Sequence, residues 1–222
     1  MAQISAFEVL GPNMVGPSSS HTAGAAAIAY LAQKMINPPI VKATFILYGS
    51  FAHTYSGHGT DRALLGGLMG FHTDDLRIRQ SFAIARERGI DYQFIPNDRE
   101  ADIYPNTVDI EMTNAAGQTM RIRGESLGGG KVRISQINGV AVEYTGEYCA
   151  VIVVHQDVRG VVAHTTAVLA HFGVNLAYMR MFREAKGCKA YTIAECDGRI
   201  PRGVIELVKD NPNVMDCMIV EP

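Results

Sequence analysis

Apolar and polar positions along this chain follow two rhythms. Between Ser18 and Met35, SSSHTAGAAAIAYLAQKM runs from hydroxyls into a compact apolar stretch, and Asn37, Pro38 and Pro39 stop it. That reads as a helix through about Met35, capped by Ser20 or a neighbour. Val41, Ala43, Phe45 and Leu47 in VKATFILYG recur at every second position, as in a strand. TDRALLGGLMG and SFAIARERG read as helices closed by glycine. NTVDIEMTNAAGQTMRIRGES reads as a hairpin turning at Asn114–Gly117, and GGGKVRISQINGV as a further strand and turn.

The second rhythm starts near Val151. YCAVIVVHQD is a buried strand, and VRGVVAHTTAVLAHF places Val161, Val168, Leu169 and Phe172 on one helical face. NLAYMRMFRE and CKAYTIAEC are strands joined at Ala185–Gly187. PRGVIELVKDNP is a short helix with Pro201 near its start, and VMDCMIVEP is a last strand. The order β-α-β-β-α-β in about 75 residues is the ferredoxin-like arrangement. The expected fold class is therefore α+β: an α+β domain over 1–146 and a ferredoxin-like domain over 147–222, with the seam near Gly146.

Composition narrows the partners. With 222 residues, there is room for one large or two modest cores. A net charge of -2 without a basic block argues against nucleic acid. No apolar run reaches the ~18 residues of a membrane span. The start MAQISAFEVLGP lacks the basic and apolar regions of a signal peptide, so a cytoplasmic protein with no membrane partner is expected. Cys149, Cys188, Cys196 and Cys217 form no CxxC pair. Three or four thiols can in principle ligate a metal or an iron–sulfur cluster. Cys149 and Cys217 sit in strand-like runs and read instead as small buried apolar residues.

Four polar stretches are candidates for chemistry. Ser18-Ser19-Ser20-His21-Thr22 stands at a helix start, where free N–H groups and hydroxyls hold a carboxylate or phosphate and histidine adds a proton donor or acceptor. The same residues read equally as a cap and a polar loop. In HTYSGHGTD, His53 and His58 are spaced too widely for two metal ligands on one helical face. His58-Gly59-Thr60-Asp61 otherwise reads as a polar loop with Thr60 or Asp61 as helix cap. Gly128-Gly129-Gly130 lets backbone amides approach an anion but lacks the GxxxxGK[ST] frame of a nucleotide loop; it also reads as a flexible turn. No GxSxG elbow supports a serine hydrolase. In the second half, Asp157-Val158-Arg159-Gly160 links strand to helix, and its glycine allows close approach of a ligand to the helix N–H groups.

That second half resembles an ACT domain, a small module that often binds amino acids; it reads equally as a dimerisation module without a ligand. In order, GPSSSHTAG, SGHGTD, SLGGG and an ACT-like tail resemble the beta subunit of iron–sulfur-dependent L-serine dehydratase. The first half is also similar to the allosteric substrate-binding domain of some phosphoglycerate dehydrogenases. The resemblance implies a lyase that deaminates L-serine to pyruvate and ammonia, with a [4Fe-4S] cluster acting as Lewis acid on the serine hydroxyl. It implies an alpha subunit that carries the cluster cysteines, and a beta chain that is inactive alone. The absence of cysteine before Cys149 and of a catalytic alpha segment fits that division. Carried onto this chain, it implies His21 and His58 as catalytic residues. It implies Ser18, Ser19, Thr22, Gly59, Thr60, Asp61, Gly128, Gly129 and Gly130 as substrate-binding residues, with no metal ligand. An amino-acid effector is expected near Asp157, Gly160 and Asn175, or else a beta–beta dimer through the ACT-like half. A non-catalytic amino-acid sensor and a free-standing histidine–metal hydrolase are the alternatives.

Overall fold

The alternating stretch after Pro39 forms β1 (Ile40–Tyr48), with Ala43, Phe45 and Leu47 fully buried. The structure is a computed structural model that describes residues 13–97, 99 and 103–222. The chain divides into two compact units, one through Asn138 and one from Gly139 to Pro222. In the first unit β1 is joined by β2 (Asp91–Asn97), β3 (Thr107–Asn114), β4 (Thr119–Gly128) and β5 (Lys131–Ile137). They lie in the order β2-β1-β3-β4-β5. Only the β1–β2 pair is parallel; β1–β3, β3–β4 and β4–β5 are antiparallel. The β3–β4 hairpin turns at Asn114–Gly117 as expected, closed by the Asn114 N–H to the Gln118 carbonyl at 3.0 Å.

Among the described residues four α-helices belong to this unit: α1 (Gly24–Gln33), α2 (Gly49–Thr54), α3 (Thr60–Leu68) and α4 (Ser81–Glu87). Ile28, Ala29 and Ala32 of α1 are fully buried, and α1 packs on β4 and β5. Helix α3 packs on α1. The crossing is close at Gly67, where a Cβ would lie 3.0 Å from the Ala26 carbonyl carbon and the Tyr30 nitrogen. Only a residue without a side chain lets the two backbones meet there. This crossing matters to function, because α1 follows the Ser18–Thr22 stretch and α3 follows His58.

Alternation along β3 sends Val108, Ile110 and Met112 into the core and Asp109 to the other face. Asp109 is nevertheless 1% exposed. It accepts from Arg123 Nε at 2.6 Å, from Arg121 Nη2 at 2.6 Å and from the Tyr48 hydroxyl at 2.8 Å. Burial alone would raise the Asp109 carboxyl; the hydrogen bonds from Arg123, Arg121 and Tyr48 outweigh it and hold the pKa below the usual value. The network fixes Tyr48, the last residue of β1.

The second unit holds β6 (Val140–Tyr144), β7 (Cys149–Gln156), α5 (Val161–His171), β8 (Leu176–Arg183), β9 (Lys189–Cys196), α6 (Gly203–Lys209) and β10 (Val214–Val220). Its four-stranded sheet runs β10-β7-β9-β8, every neighbour antiparallel. Val161, Val168 and Leu169 of α5 are buried, and Phe172 packs against the same core. His155 is buried with both ring nitrogens satisfied, by Thr192 Oγ1 at 2.9 Å and the Gln156 carbonyl at 2.7 Å. The architecture is α+β with two sheets. Among the described residues no helix is long and apolar enough to cross a membrane.

Candidate functional site

Ser18 has extended backbone (φ -137°, ψ 125°), and its Oγ accepts the His21 N–H at 3.1 Å. Ser18, rather than Ser20, is therefore the cap, satisfying one of the donors a helix start leaves unpaired. The turn it opens, Ser19–Ala23, is π-helical, closed by the Gly24 N–H on the Ser19 carbonyl. Wider winding of this kind often marks functional positions. Here it places His21 Nδ1 3.0 Å from Ser20 Oγ and 3.4 Å from Ser18 Oγ. On the other side of the ring, Nε2 lies 2.8 Å from Ser50 Oγ, on α2. Phe51 meets the imidazole edge-on at 5.5 Å between centroids, and the His58 ring lies at 5.0 Å. Burial first, and then the neighbouring His58, lower the His21 pKa, so the ring is predominantly neutral near pH 7.

The His58 loop is bound to this turn. Thr22 is buried and donates Oγ1 to the His58 carbonyl at 3.1 Å. The loop continues α2 as turns, with the His58 N–H on the Thr54 carbonyl and the Thr60 N–H on the Tyr55 carbonyl. Gly59 stands ahead of α3 with φ +69°, and no side chain caps the helix. Thr60 and Asp61 are thus not caps. Asp61 accepts the adjacent Arg62 N–H at 2.7 Å, and burial raises its carboxyl above the usual value. Thr60 is fully buried, and its hydroxyl has no hydrogen-bond partner among the described residues.

A cleft of about 330 Å³ opens here, walled by Gly16, Thr22, His58, Gly59, Arg62 and Arg79. Arg62 lies over the Phe82 ring and donates Nη1 to the Arg79 carbonyl at 2.5 Å. The Arg79 guanidinium pairs with no carboxylate among the described residues. Among the described residues no acidic side chain lines the cleft. Two cationic groups beside a histidine and a threonine suit a small anion-bearing ligand.

The structure thus brings the Ser18–Thr22 turn and the His58–Asp61 loop together; of their residues Thr22, His58 and Gly59 line the cleft, and Ser18, Ser19, His21, Thr60 and Asp61 do not. Gly128, Gly129 and Gly130 form the β4–β5 turn, all at positive φ, and do not line the cleft. Ser126 of the same motif is fully buried against Gly24, with its hydroxyl unpartnered among the described residues. Ser50, Arg62 and Arg79 belong to the site but stand outside the motifs that marked it in the sequence.

The effector candidates are separated. Asp157 follows β7 and accepts from the Gly187 N–H at 2.9 Å and Arg183 Nη1 at 3.2 Å. These bonds, the Gly187 N–H above all, hold its carboxyl below the usual range. Gly160 precedes α5 with φ +94°. Asn175 instead donates to Asp197 Oδ2 at 2.7 Å. The register pairs Gln156 with Lys189 and Cys149 with Cys196, so Asp157 and Asn175 lie at opposite ends of the sheet. The length of β7 separates them, roughly 25 Å at ~3.3 Å per residue.

The cysteines do not fit a cluster site. Burial raises the thiols of Cys196 and Cys217 to about 11 and about 12, and that of Cys149 above its usual value. Cluster ligands are thiolates. Among the described residues no three His, Cys, Asp or Glu side chains are grouped to hold a metal ion.

Comparison with known proteins meets this geometry. The family model for the serine dehydratase beta chain matches residues 5–92, which contain both the Ser18–Thr22 turn and the His58 loop. The L-serine dehydratase beta chain of Peptoniphilus asaccharolyticus is 44% identical over 79% of both chains. The probable L-serine dehydratase beta chain of Bacillus subtilis is 39% identical over 95% of both. A D-3-phosphoglycerate dehydrogenase of Bacillus subtilis is 22% identical over 89% of this chain and 37% of its own length. With relatives this similar over nearly its whole length, the chain belongs to the family of L-serine dehydratase beta chains.

Proposed function

We propose that this chain is the beta subunit of a cytoplasmic L-serine dehydratase. It forms one wall of the site in which L-serine loses water, and hydrolysis of the resulting imine then releases ammonia and pyruvate. A partner alpha subunit supplies the [4Fe-4S] cluster, and the chain is inactive alone. The observation that carries this reading is the 39% identity to a probable L-serine dehydratase beta chain along 95% of both chains. The site geometry supports it. Serine carries a carboxylate, an ammonium and a β-hydroxyl. Arg62 and Arg79 offer the carboxylate positive charge, and Thr22 and the His58–Thr60 loop shape the wall beside it. His21, mostly neutral, is ready to take up a proton, which suits a group that moves protons during elimination. His58 stands beside it and shares that role.

The second unit is proposed to be an ACT domain. It binds an amino-acid effector at the Asp157–Gly160 loop, or it joins two beta chains. Because Asn175 lies at the far end of the sheet, an effector at Asp157 meets Asn175 only from a second copy.

The test is an anaerobic assay of this chain alone, the alpha chain alone and the two mixed, following pyruvate. Turnover of L-serine by the mixture alone is expected. A mixture that binds its cluster and yields no pyruvate overturns the reading. A non-catalytic amino-acid sensor is the second reading; the likeness to a D-3-phosphoglycerate dehydrogenase over 89% of this chain supports it only in that related sequence also occurs outside serine dehydratases. L-serine binding by this chain alone, together with an inactive mixture, would establish that instead.

A further inference from the structure

A histidine that moves protons needs a fixed ring orientation. Torsion about its terminal bond is broad and roughly two-fold, so neighbours must choose between the two ring faces. Around His21, Ser18 and Ser20 belong to its own turn and move with it. The hydrogen-bond partner that reaches the ring from another element is Ser50, at 2.8 Å from Nε2.

Ser50 is itself held from several directions. Tyr48, two residues before it, is 1% exposed and bonded to the buried Asp109 at 2.8 Å. Gly49 turns the chain with φ +50°, and a Cβ there would lie 2.7 Å from the Pro105 carbonyl oxygen and 2.9 Å from Pro105 Cα. Both the left-handed backbone and the close approach demand glycine. The Ser50 carbonyl accepts the Thr54 hydroxyl at 2.8 Å. Phe51, fully buried, then sets its ring against the imidazole. The end of β1 is therefore a rigid mount, and what it presents to the site is the Ser50 hydroxyl.

We infer that Ser50 is a positioning residue: its hydroxyl pins His21 Nε2 and so holds the imidazole in one orientation. The catalytic part of this inference rests on the proposed function; the orientation part does not. The other ring nitrogen, Nδ1, faces the Ser18 and Ser20 hydroxyls, which supply a path along which a proton can be exchanged.

The test has two arms. The first reads the ring nitrogens of ¹⁵N-histidine-labelled chain by NMR above the His21 titration, with His21→Ala assigning the signals. Ser50→Ala, which removes the partner of Nε2, should move the Nε2 shift, and Ser50→Thr, which keeps the hydroxyl, should restore it. Identical His21 shifts in wild type and Ser50→Ala overturn the inference. Should Ser50→Ala fail to fold, Ser50→Cys, of nearly the same volume, is read in the same way. The second arm uses the assembled pair. Ser50→Ala should lower kcat roughly tenfold or more, the scale of a lost orienting contact, with KM for L-serine close to wild type. Ser50→Thr should recover most of kcat. An unchanged kcat in Ser50→Ala overturns the catalytic part. A wild-type pair that makes no pyruvate defeats the functional reading, and the NMR arm still decides whether Ser50 holds the ring.

Discussion

Replacing Gly67 by alanine tests how the two halves of the site are held together. In an ordinary helix the change stabilises by about 1 kcal/mol through backbone entropy. Here the new Cβ would meet the Ala26 carbonyl carbon and Tyr30 nitrogen at 3.0 Å, and the Ala26 oxygen closer still. All are backbone atoms of α1, so no rotamer change relieves the overlap. Restoring ordinary contact of ~3.5 Å requires α1 and α3 to separate by about 1 Å. Overpacking of this kind costs about 1–3 kcal/mol, and backbone partners put it at the upper end. The net expectation is a loss of about 2 kcal/mol. With a urea slope of about 2 kcal/mol/M, the midpoint falls by about 1 M. Gly66→Ala is the control on the same helix. Its Cβ would meet Ile78 Cγ1 at 3.0 Å, a side-chain atom that can shift where backbone cannot. Its midpoint should stay within about 0.3 M of wild type, the smaller clash and the helix gain nearly cancelling. Urea unfolding followed by circular dichroism measures both. A Gly67→Ala midpoint at or above that of Gly66→Ala would refute the close crossing.

Three further outcomes follow from the same structure. Asp109 has a depressed folded pKa, so its contribution is complete above the unfolded carboxyl value of ~4 and disappears as pH falls through the depressed value. Asp109→Asn should cost about 3 kcal/mol at pH 7, toward the low end for a broken buried pair because Arg121 is half exposed, and should flatten the acid limb of a stability–pH curve. Ser18→Ala removes the cap on the His21 N–H and should cost about 1 kcal/mol in urea unfolding, whereas loss of Ser20 leaves that cap in place. In the assembled pair Arg79→Gln should raise KM for L-serine by about 10- to 100-fold, the worth of a charge-assisted hydrogen bond, with kcat little changed; an unaltered KM removes Arg79 from the carboxylate site.

Local patterns made much of the fold legible. Alternation located β1, and the element order of the second half was readable because each strand and helix there is short, periodic and bounded by turn residues. Elements fixed by tertiary context were less visible. Strand β2 alternates over only five residues before Pro96, and among the described residues it pairs with β1 alone at the sheet edge, where proline is tolerated. Helix α2 is six residues long, too short to show a period. In the site, Ser18, His21 and Thr22 lie within one turn and announce themselves. Ser50 meets His21 across 29 positions of sequence, and no local motif carries that contact. Arg62 and Arg79 join the cleft through the packing of α3 and the segment that follows it. Asp157 and Asn175 look like neighbours because each borders an α5 terminus, but the strands they flank place them at opposite ends of one sheet.

The central claim is that this chain contributes working side chains to a serine site completed by another polypeptide. The direct measurement is steady-state turnover of L-serine to pyruvate by the anaerobically assembled pair carrying His21→Ala, with the cluster's absorbance recorded in the same sample. The account predicts a fall in kcat of about 10²- to 10⁴-fold, the range for a lost proton-transfer group, with cluster content unchanged. Wild-type kcat in that pair would contradict it.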